Sequence, residues 1–335
     1  MFTQPPPDRV KADLAALPVS SDRPAGMRNA RPDFFIVGAP KCGTSAMADY
    51  LAKHPDIFMA RKEMHFFGSD LRFASHFYRR GEREYLAEFA GWDGQQRIGE
   101  ASVWYLFSEK AAEEIYAFSP TARIIIMLRE PAEMLFSLFR YFQYDGNEPL
   151  SDFAAALAAE PERQAGRGVG RQTYFTKGLV YHETARFAQQ VRRYLQVFGP
   201  ERVHVVLNED LAADTAGAYR ATLEFLQVDP VFRPRQFDRI NAAQSVKSRV
   251  LRAVLNDPLP RAAVLAMRPW LPKAVFHGFS WFESRVQGLN SAPDRPQRLG
   301  PELKSRLRRE FTADVAELSE LIGRDLSHWI SATPP

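Results

Sequence analysis

The sequence predicts an α/β fold of three layers, with helices on both faces of a central parallel sheet of about five strands. Three short apolar runs carry the sheet, at residues 34–37, 124–128 and 203–207. Each is apolar at successive rather than alternate positions, the pattern of a strand buried on both faces. Segments with apolar residues at three- and four-residue spacing separate them, and strands alternating with helices fold as a parallel sheet.

Along the chain, residues 1–31 mix Pro5, Pro6, Pro7, Pro18 and Pro24 with charges and read as a flexible arm with one short helix at 10–17. A single domain is expected over 32–332. The first strand ends in Gly38, and 45–53 takes up helical spacing. Residues 57–59 and 97–100 are the two weaker strands that bring the count to five. Helices are expected at 133–142, 153–159, 183–198 and 217–226. Pro301 opens a last long helix whose apolar face is Leu303, Leu307, Phe311, Val315, Leu318 and Ile322, and Gly323 stops it.

Composition narrows the function. With 335 residues and 45% hydrophobic content the chain can bury a large core, which excludes disorder over most of its length. Its net charge of +4 is too small for a nucleic-acid coat protein and suits an anionic small ligand. Cys42 is the one cysteine, so no intrachain disulfide and no cysteine-built zinc site can form. No signal peptide and no run of about 18 apolar residues is visible, and a cytoplasmic protein is expected.

The strand at 34–37 runs into Gly38-Ala39-Pro40-Lys41-Cys42-Gly43-Thr44-Ser45 and then into a helix. A helix N-terminus presents unpaired N–H groups and the positive end of its dipole, a seat for phosphate or sulfate. Gly38 and Gly43 let the backbone close on the anion, Thr44 and Ser45 offer hydroxyls, and Lys41 adds a charge. In the nucleotide P-loop the lysine directly follows the second glycine. Here Lys41 precedes Gly43 by two residues, so a magnesium nucleotide is not implied and no metal is expected. A second anchor follows the strand at 124–128, in Arg129-Glu130-Pro131 with Ser137 two helical turns on. Arg129 falls at the carboxyl end of a parallel strand, the edge where open α/β sheets bind ligands.

These motifs resemble those of sulfotransferases that use 3′-phosphoadenosine 5′-phosphosulfate (PAPS), and within them the heparan-sulfate-type branch and its soluble bacterial relatives, on a P-loop-NTPase-like fold. The family loop G-x-x-K-x-G-T-[ST] is matched by Lys41, Gly43, Thr44 and Ser45, and it holds the 5′-phosphosulfate. The family segment R-[DE]-P-x-x-x-x-x-S is matched by Arg129 and Ser137, which the resemblance assigns to the 3′-phosphate. Lys62-Glu63-Met64-His65-Phe66-Phe67 resembles K-E-x-H-F-F, which makes Glu63 the general base, with His65 the competing one. The resemblance puts Lys41 by the sulfate and the bridging oxygen. Glu100, Ser102 and Tyr105 match E-K-[ST]-P-x-Y, but Ala101 and Val103 stand where the family has lysine and proline.

Further along, Phe187-Ala188-Gln189-Gln190 and Asn208-Glu209-Asp210-Leu211 resemble the helix and strand that follow in bacterial members. The stretch 245–273 carries Lys247, Arg249, Arg252, Arg261, Arg268 and Lys273 against Asp257 alone. By composition that is a solvated helical face. By resemblance Lys247 and Arg249 contact phosphate or sulfate. The implied acceptor is a hydroxyl or amine of a carbohydrate, glycolipid or small metabolite, and the aromatics Phe66, Phe67, Trp104, Tyr105, Tyr141, Phe142, Tyr144, Tyr174 and Phe175 suit either a cleft that stacks on sugars or the core. Neither a nucleic-acid partner nor a membrane segment is expected, and oligomeric state is open. Two other classes remain at this stage: a divergent P-loop kinase using Mg·ATP, and a non-enzymatic module binding anions or nucleic acid through 245–273.

Overall fold

A computed structural model of the chain describes residues 30–73, 81–170, 173–238, 244–246, 291–293 and 297–331. In chain order the first half runs β1 (Phe34–Gly38), α1 (Thr44–Ala52), β2 (Ile57–Met59), α2 (Glu82–Ala87), β3 (Arg97–Ala101), α3 (Ala111–Phe118), β4 (Arg123–Leu128), α4 (Pro131–Asp145), α5 (Phe153–Ala158) and α6 (Glu160–Gln164). The second half runs α7 (Tyr181–Thr184), α8 (Phe187–Phe198), β5 (Val203–Leu207), α9 (Asn208–Ala213), α10 (Thr215–Leu226), β6 (Gln244–Val246), β7 (Ser291–Pro293), α11 (Pro301–Glu310) and α12 (Thr312–Ile322).

All five expected strands form one parallel sheet in the order β2-β3-β1-β4-β5, and β6 and β7 make a separate antiparallel pair. The central position of β1 explains its composition: Phe34 to Val37 are wholly buried between two neighbouring strands and two helical layers. In β3, Gly99 is required by packing, since a Cβ there would meet Phe34 and Met59 side-chain atoms at 2.2 and 2.4 Å. The chain leaves β1 on one side for β3 and β2 and returns on the other for β4 and β5. That reversal opens a crevice at the carboxyl ends of β1, β3 and β4, the place where such sheets hold ligands. The segments 38–45, 60–67, 102–105 and 129–137 all issue from that edge.

Two helices differ from expectation. The helix expected at 183–198 is broken into α7 and α8, because the Asp314 carboxylate accepts hydrogen bonds from the Phe187 and Ala188 N–H groups (3.0 and 3.3 Å) and caps a new N-terminus there. The long last helix is interrupted at Phe311, which sits between α11 and α12 with its ring stacked on His182 at 5.6 Å. The expected arm lies almost wholly outside the described residues, as do Lys247, Arg249 and the rest of the basic stretch from 247 on.

His182 also ties three helices together. Its Nδ1 lies 2.9 Å from Glu160 on α6 and its Nε2 3.0 Å from Glu310 on α11. Both ring nitrogens facing carboxylates favour the imidazolium, and the hydrogen bond to Glu160 is the main cause of a pKa raised above 6.5. With the folded value raised, the stabilisation is complete below the ordinary histidine value and is lost as pH rises through the folded one. His182→Gln is therefore expected to cost about 1 kcal/mol at pH 6 and less at pH 9, read from thermal midpoints. Equal losses at both pH values would show that ring packing, not charge, is what His182 contributes.

Candidate functional site

The loop after β1 is shaped by three residues with positive φ: Gly38 (148°), Lys41 (64°) and Gly43 (93°). Gly38 is packed so closely that a Cβ would meet the Val103 carbonyl oxygen at 2.5 Å. Gly43 caps α1 through its backbone, with no side chain on the first-turn N–H groups and no acidic residue in that turn. The Ala46 and Met47 N–H groups donate to the Gly43 carbonyl (3.0 and 3.1 Å), and the Thr44 and Ser45 N–H groups that start the helix are the ones the loop can offer an anion. Lys41 stands over the Tyr141 ring with Nζ 4.5 Å from its centroid. Its pKa is lowered, chiefly by burial, and the charges of Asp145, Arg129 and Lys62 all act on it. Cys42 turns inward: it is wholly buried, its thiol donates to the Pro40 carbonyl (3.4 Å), and burial pushes its pKa up to about 12. That thiol is inert, and what residue 42 can offer an anion is its backbone N–H.

Arg129 emerges from β4 into the crevice with its side chain 31% exposed. Two acids beside it, Glu130 and Glu133, would neutralise it if nothing else held them. They are held from α11: Lys304 bonds Glu133 at 2.5 Å and lies 3.4 Å from Glu130, while Arg308 bonds Glu130 at 2.7 Å. The remaining Arg129–Glu133 contact is long, 3.5 Å, leaving the guanidinium available to a ligand phosphate. On α4, Glu133, Ser137, Tyr141 and Asp145 recur every four residues and share one face. Glu133 touches Arg129 and Tyr141 touches Lys41, so half-buried Ser137 falls between the two anchors. Strand β6 packs against the same helix.

The third part of the site follows β2. Glu63 and His65 both have left-handed backbones, with φ of 59° and 51°, a conformation costing roughly 1–2 kcal/mol at each non-glycine residue. The Glu63 side chain keeps 35% of its surface accessible. Neighbouring protein nonetheless strips part of its hydration, and this desolvation raises its pKa above 4.5 against the opposing pull of Lys62. Lys62, which the sequence reading left without a role, joins the two halves of the site. Its Nζ donates to Ser45 on the anion loop at 2.7 Å and lies 3.7 Å from Glu63. The signal for it was its place directly before Glu63.

His65 is a poorer base than its ordinary titration suggests. It is 9% exposed, its ring lies 4.5 Å from that of Phe73, and burial lowers its pKa to about 4. At neutral pH it is uncharged and weakly basic, whereas the environment of Glu63 shifts the carboxylate in the direction that strengthens a base.

The two departures in the 100–105 segment now have a physical meaning. Ala101 is buried on β3 beside Ile36, and its carbonyl accepts the Glu63 N–H at 2.9 Å. Val103 supplies a backbone N–H to the Glu63 carboxylate at 3.2 Å, a donor that proline lacks. Val103→Pro is expected to remove a bond to the charged form of Glu63 and so raise its pKa further, moving the acid limb of the kcat/KM profile to higher pH. An unmoved limb would show that the Val103 bond does not act on the reacting group.

The aromatics sort sharply. Phe67, Trp104, Tyr105, Phe142 and Phe175 are core, Tyr141 is 42% exposed at the rim, and Phe66, Tyr144 and Tyr174 are half-buried. Among the described residues no helix is long and apolar enough to cross a membrane.

An open parallel sheet whose reversal edge carries two separate cationic seats and a desolvated carboxylate defines a class of protein that holds a two-ended anion beside a base. A sequence model described as the sulfotransferase domain matches residues 31–249. The chain belongs to the sulfotransferase family. It is 27% identical over 252 residues to carbohydrate sulfotransferase 15 of Mus musculus, an alignment covering 60% of this chain and 44% of that one. It is 27% identical over 246 residues to heparan sulfate glucosamine 3-O-sulfotransferase 6 of Mus musculus, covering 70% and 62%. The matches thus span about half the length of these curated relatives. A crystal structure of a sulfotransferase from Alicyclobacillus acidocaldarius superposes with a TM-score of 0.66 at 31% identity, over 90% of this chain and 99% of that one.

Proposed function

We propose that this protein transfers a sulfuryl group from PAPS to a hydroxyl, or an amine, of a carbohydrate, glycolipid or small-metabolite acceptor. The observation that carries the reading is the Lys62 bridge: one ammonium touches the anion loop through Ser45 and the candidate base Glu63, so donor seat and base share one crevice. The names of the relatives, which act on carbohydrate and heparan sulfate glucosamine, support the sugar class.

PAPS supplies an activated sulfuryl group on a good leaving phosphate. The N–H groups at the start of α1, with Lys41 and Ser45, would hold its 5′ side, and Arg129 with Ser137 its 3′-phosphate. Glu63 would take the acceptor's proton as the new oxygen–sulfur bond forms, and Lys41 would neutralise the charge on the bridging oxygen as its bond to sulfur breaks. The products are then the sulfated acceptor and adenosine 3′,5′-bisphosphate, with the proton on Glu63. A single domain over 32–332 and a cytoplasmic setting, in keeping with one unpaired buried thiol, belong to the same proposal.

Calorimetry separates this reading from a kinase. Adenosine 3′,5′-bisphosphate is expected to bind without metal and Mg·ATP to bind weakly or not at all. Tight binding of Mg·ATP alone would sink the assignment. Incubation with sulfur-labelled PAPS and a panel of glycans then identifies the acceptor.

A further inference from the structure

The segment that carries Glu63 and His65 is bent into an unfavourable backbone twice within three residues, and something must hold it there. What holds it is a buried cluster around Glu100, a wholly buried residue of β3. Three hydroxyls donate to its carboxylate: Tyr85 to Oε2 at 2.5 Å, Ser102 to Oε1 at 2.8 Å and Tyr105 to Oε1 at 2.7 Å. A hydroxyl has one proton, and once it is spent on a carboxylate the lone pairs are left for other donors. Those donors are the segment's own amides. Ser102 Oγ accepts from Met64 N–H at 3.0 Å, and Tyr105 Oη accepts from Phe66 N–H at 2.9 Å and Phe67 N–H at 3.3 Å.

We propose that Glu100 is a positioning residue for the transfer reaction, orienting the Ser102 and Tyr105 hydroxyls as acceptors so that they clamp residues 64–67 and aim Glu63 into the crevice. The inference rests on the sulfotransferase reading for its kinetic consequence but not for its structural one. Burial raises the Glu100 pKa to about 7, and above that pH the carboxylate accepts at every lone pair and donates nowhere, so neither hydroxyl can be drawn away to donate elsewhere. A glutamine brings an N–H₂ group that competes for the same oxygens. Packing adds to the clamp: the Tyr85 ring stacks on Phe66 at 4.1 Å, and the Tyr105 ring lies 5.6 Å from Phe67. Tyr85, however, accepts no amide of the segment, so deleting its hydroxyl removes one donor to Glu100 but no bond to residues 64–67.

The test compares Glu100→Gln, Tyr105→Phe and Tyr85→Phe by amide hydrogen exchange and by steady-state kinetics. Glu100→Gln and Tyr105→Phe are expected to speed exchange at Met64, Phe66 and Phe67 by about tenfold or more, with β1 and β4 unchanged. They should lower kcat by about tenfold while the Kd for adenosine 3′,5′-bisphosphate stays within about twofold. Tyr85→Phe should change exchange at 64–67 by less than about twofold. Unchanged exchange in Tyr105→Phe overturns the proposal. So does a Tyr85→Phe protein that opens the segment as far as Tyr105→Phe, or a full kcat in a protein whose segment has opened. Should Glu100→Gln fail to fold, the two tyrosine variants decide alone. A wild-type protein that binds no adenosine 3′,5′-bisphosphate would sink the sulfotransferase reading, while the exchange measurements would still show whether Glu100 and its hydroxyls hold the segment.

Discussion

Lys41→Ala is expected to lower kcat for sulfuryl transfer by about 10²–10³-fold, the loss typical of removing one preorganised charge from a developing oxyanion. The physical basis is the setting of the ammonium. Burial has stripped its water and lowered its pKa, and it stands over the Tyr141 ring, near enough to Arg129 and Lys62 for their charges to act on it. A desolvated cation interacts more strongly with charge appearing beside it than a hydrated one does. Because Lys41 would also touch the ground-state anion, adenosine 3′,5′-bisphosphate should bind more weakly as well, and calorimetry on the same variant checks this. A Lys41→Ala enzyme with unchanged kcat would show that Lys62, the other lysine at the loop, carries the charge instead. Lys41→Arg is expected to recover little, since a wide planar guanidinium does not replace a point charge at a left-handed loop position.

The strands and the placement of Lys41 and Arg129 at the sheet edge were legible because each rests on local sequence. β1 and β4 are apolar at nearly every position, as strands at the centre of a parallel sheet must be. β3 gave a faint signal because packing against Phe34 demands Gly99 and the hydroxyl cluster demands Glu100, so its composition serves its neighbours. What stayed hidden depends on partners far away in the chain. The break before Phe187 is made by Asp314, the freedom of Arg129 by Lys304 and Arg308, and the clamp on 64–67 by Ser102 and Tyr105. No periodicity reports such contacts. The burial of Phe67, Trp104 and Phe175 was equally invisible, since an aromatic suits a sugar platform and a core alike.

The choice between Glu63 and His65 was open in the sequence, where both residues are two positions apart on one segment. An unperturbed histidine would be the better base near neutrality. Structure reverses the order by desolvating both: burial weakens an imidazole as a base and strengthens a carboxylate. The same physical cause therefore pushes the two candidates in opposite directions, and the outcome depends on which one keeps access to the crevice. Glu63 does, through a side chain 35% exposed, while His65 packs on Phe73.

Glu63→Gln is accordingly expected to lower kcat by about 10²–10⁴-fold, the span of a lost general base. Affinity for adenosine 3′,5′-bisphosphate should stay nearly intact, because Glu63 reaches the donor seat through Lys62 and Ser45. The pH dependence gives a second reading. In wild type the carboxylate must be ionised to act, and its pKa is raised, so activity should fall on the acid side at a higher pH than an ordinary glutamate would give. That limb should disappear in Glu63→Gln, leaving a low and flat rate. His65→Asn, by contrast, should keep the acid limb in place, since a histidine lowered to about 4 is already neutral throughout the working range. If Glu63→Gln retained full activity and His65→Asn lost it, the roles would be exchanged. The left-handed turn at 63 and 65 would then serve to aim the imidazole, with the carboxylate reduced to a counter-charge for Lys62.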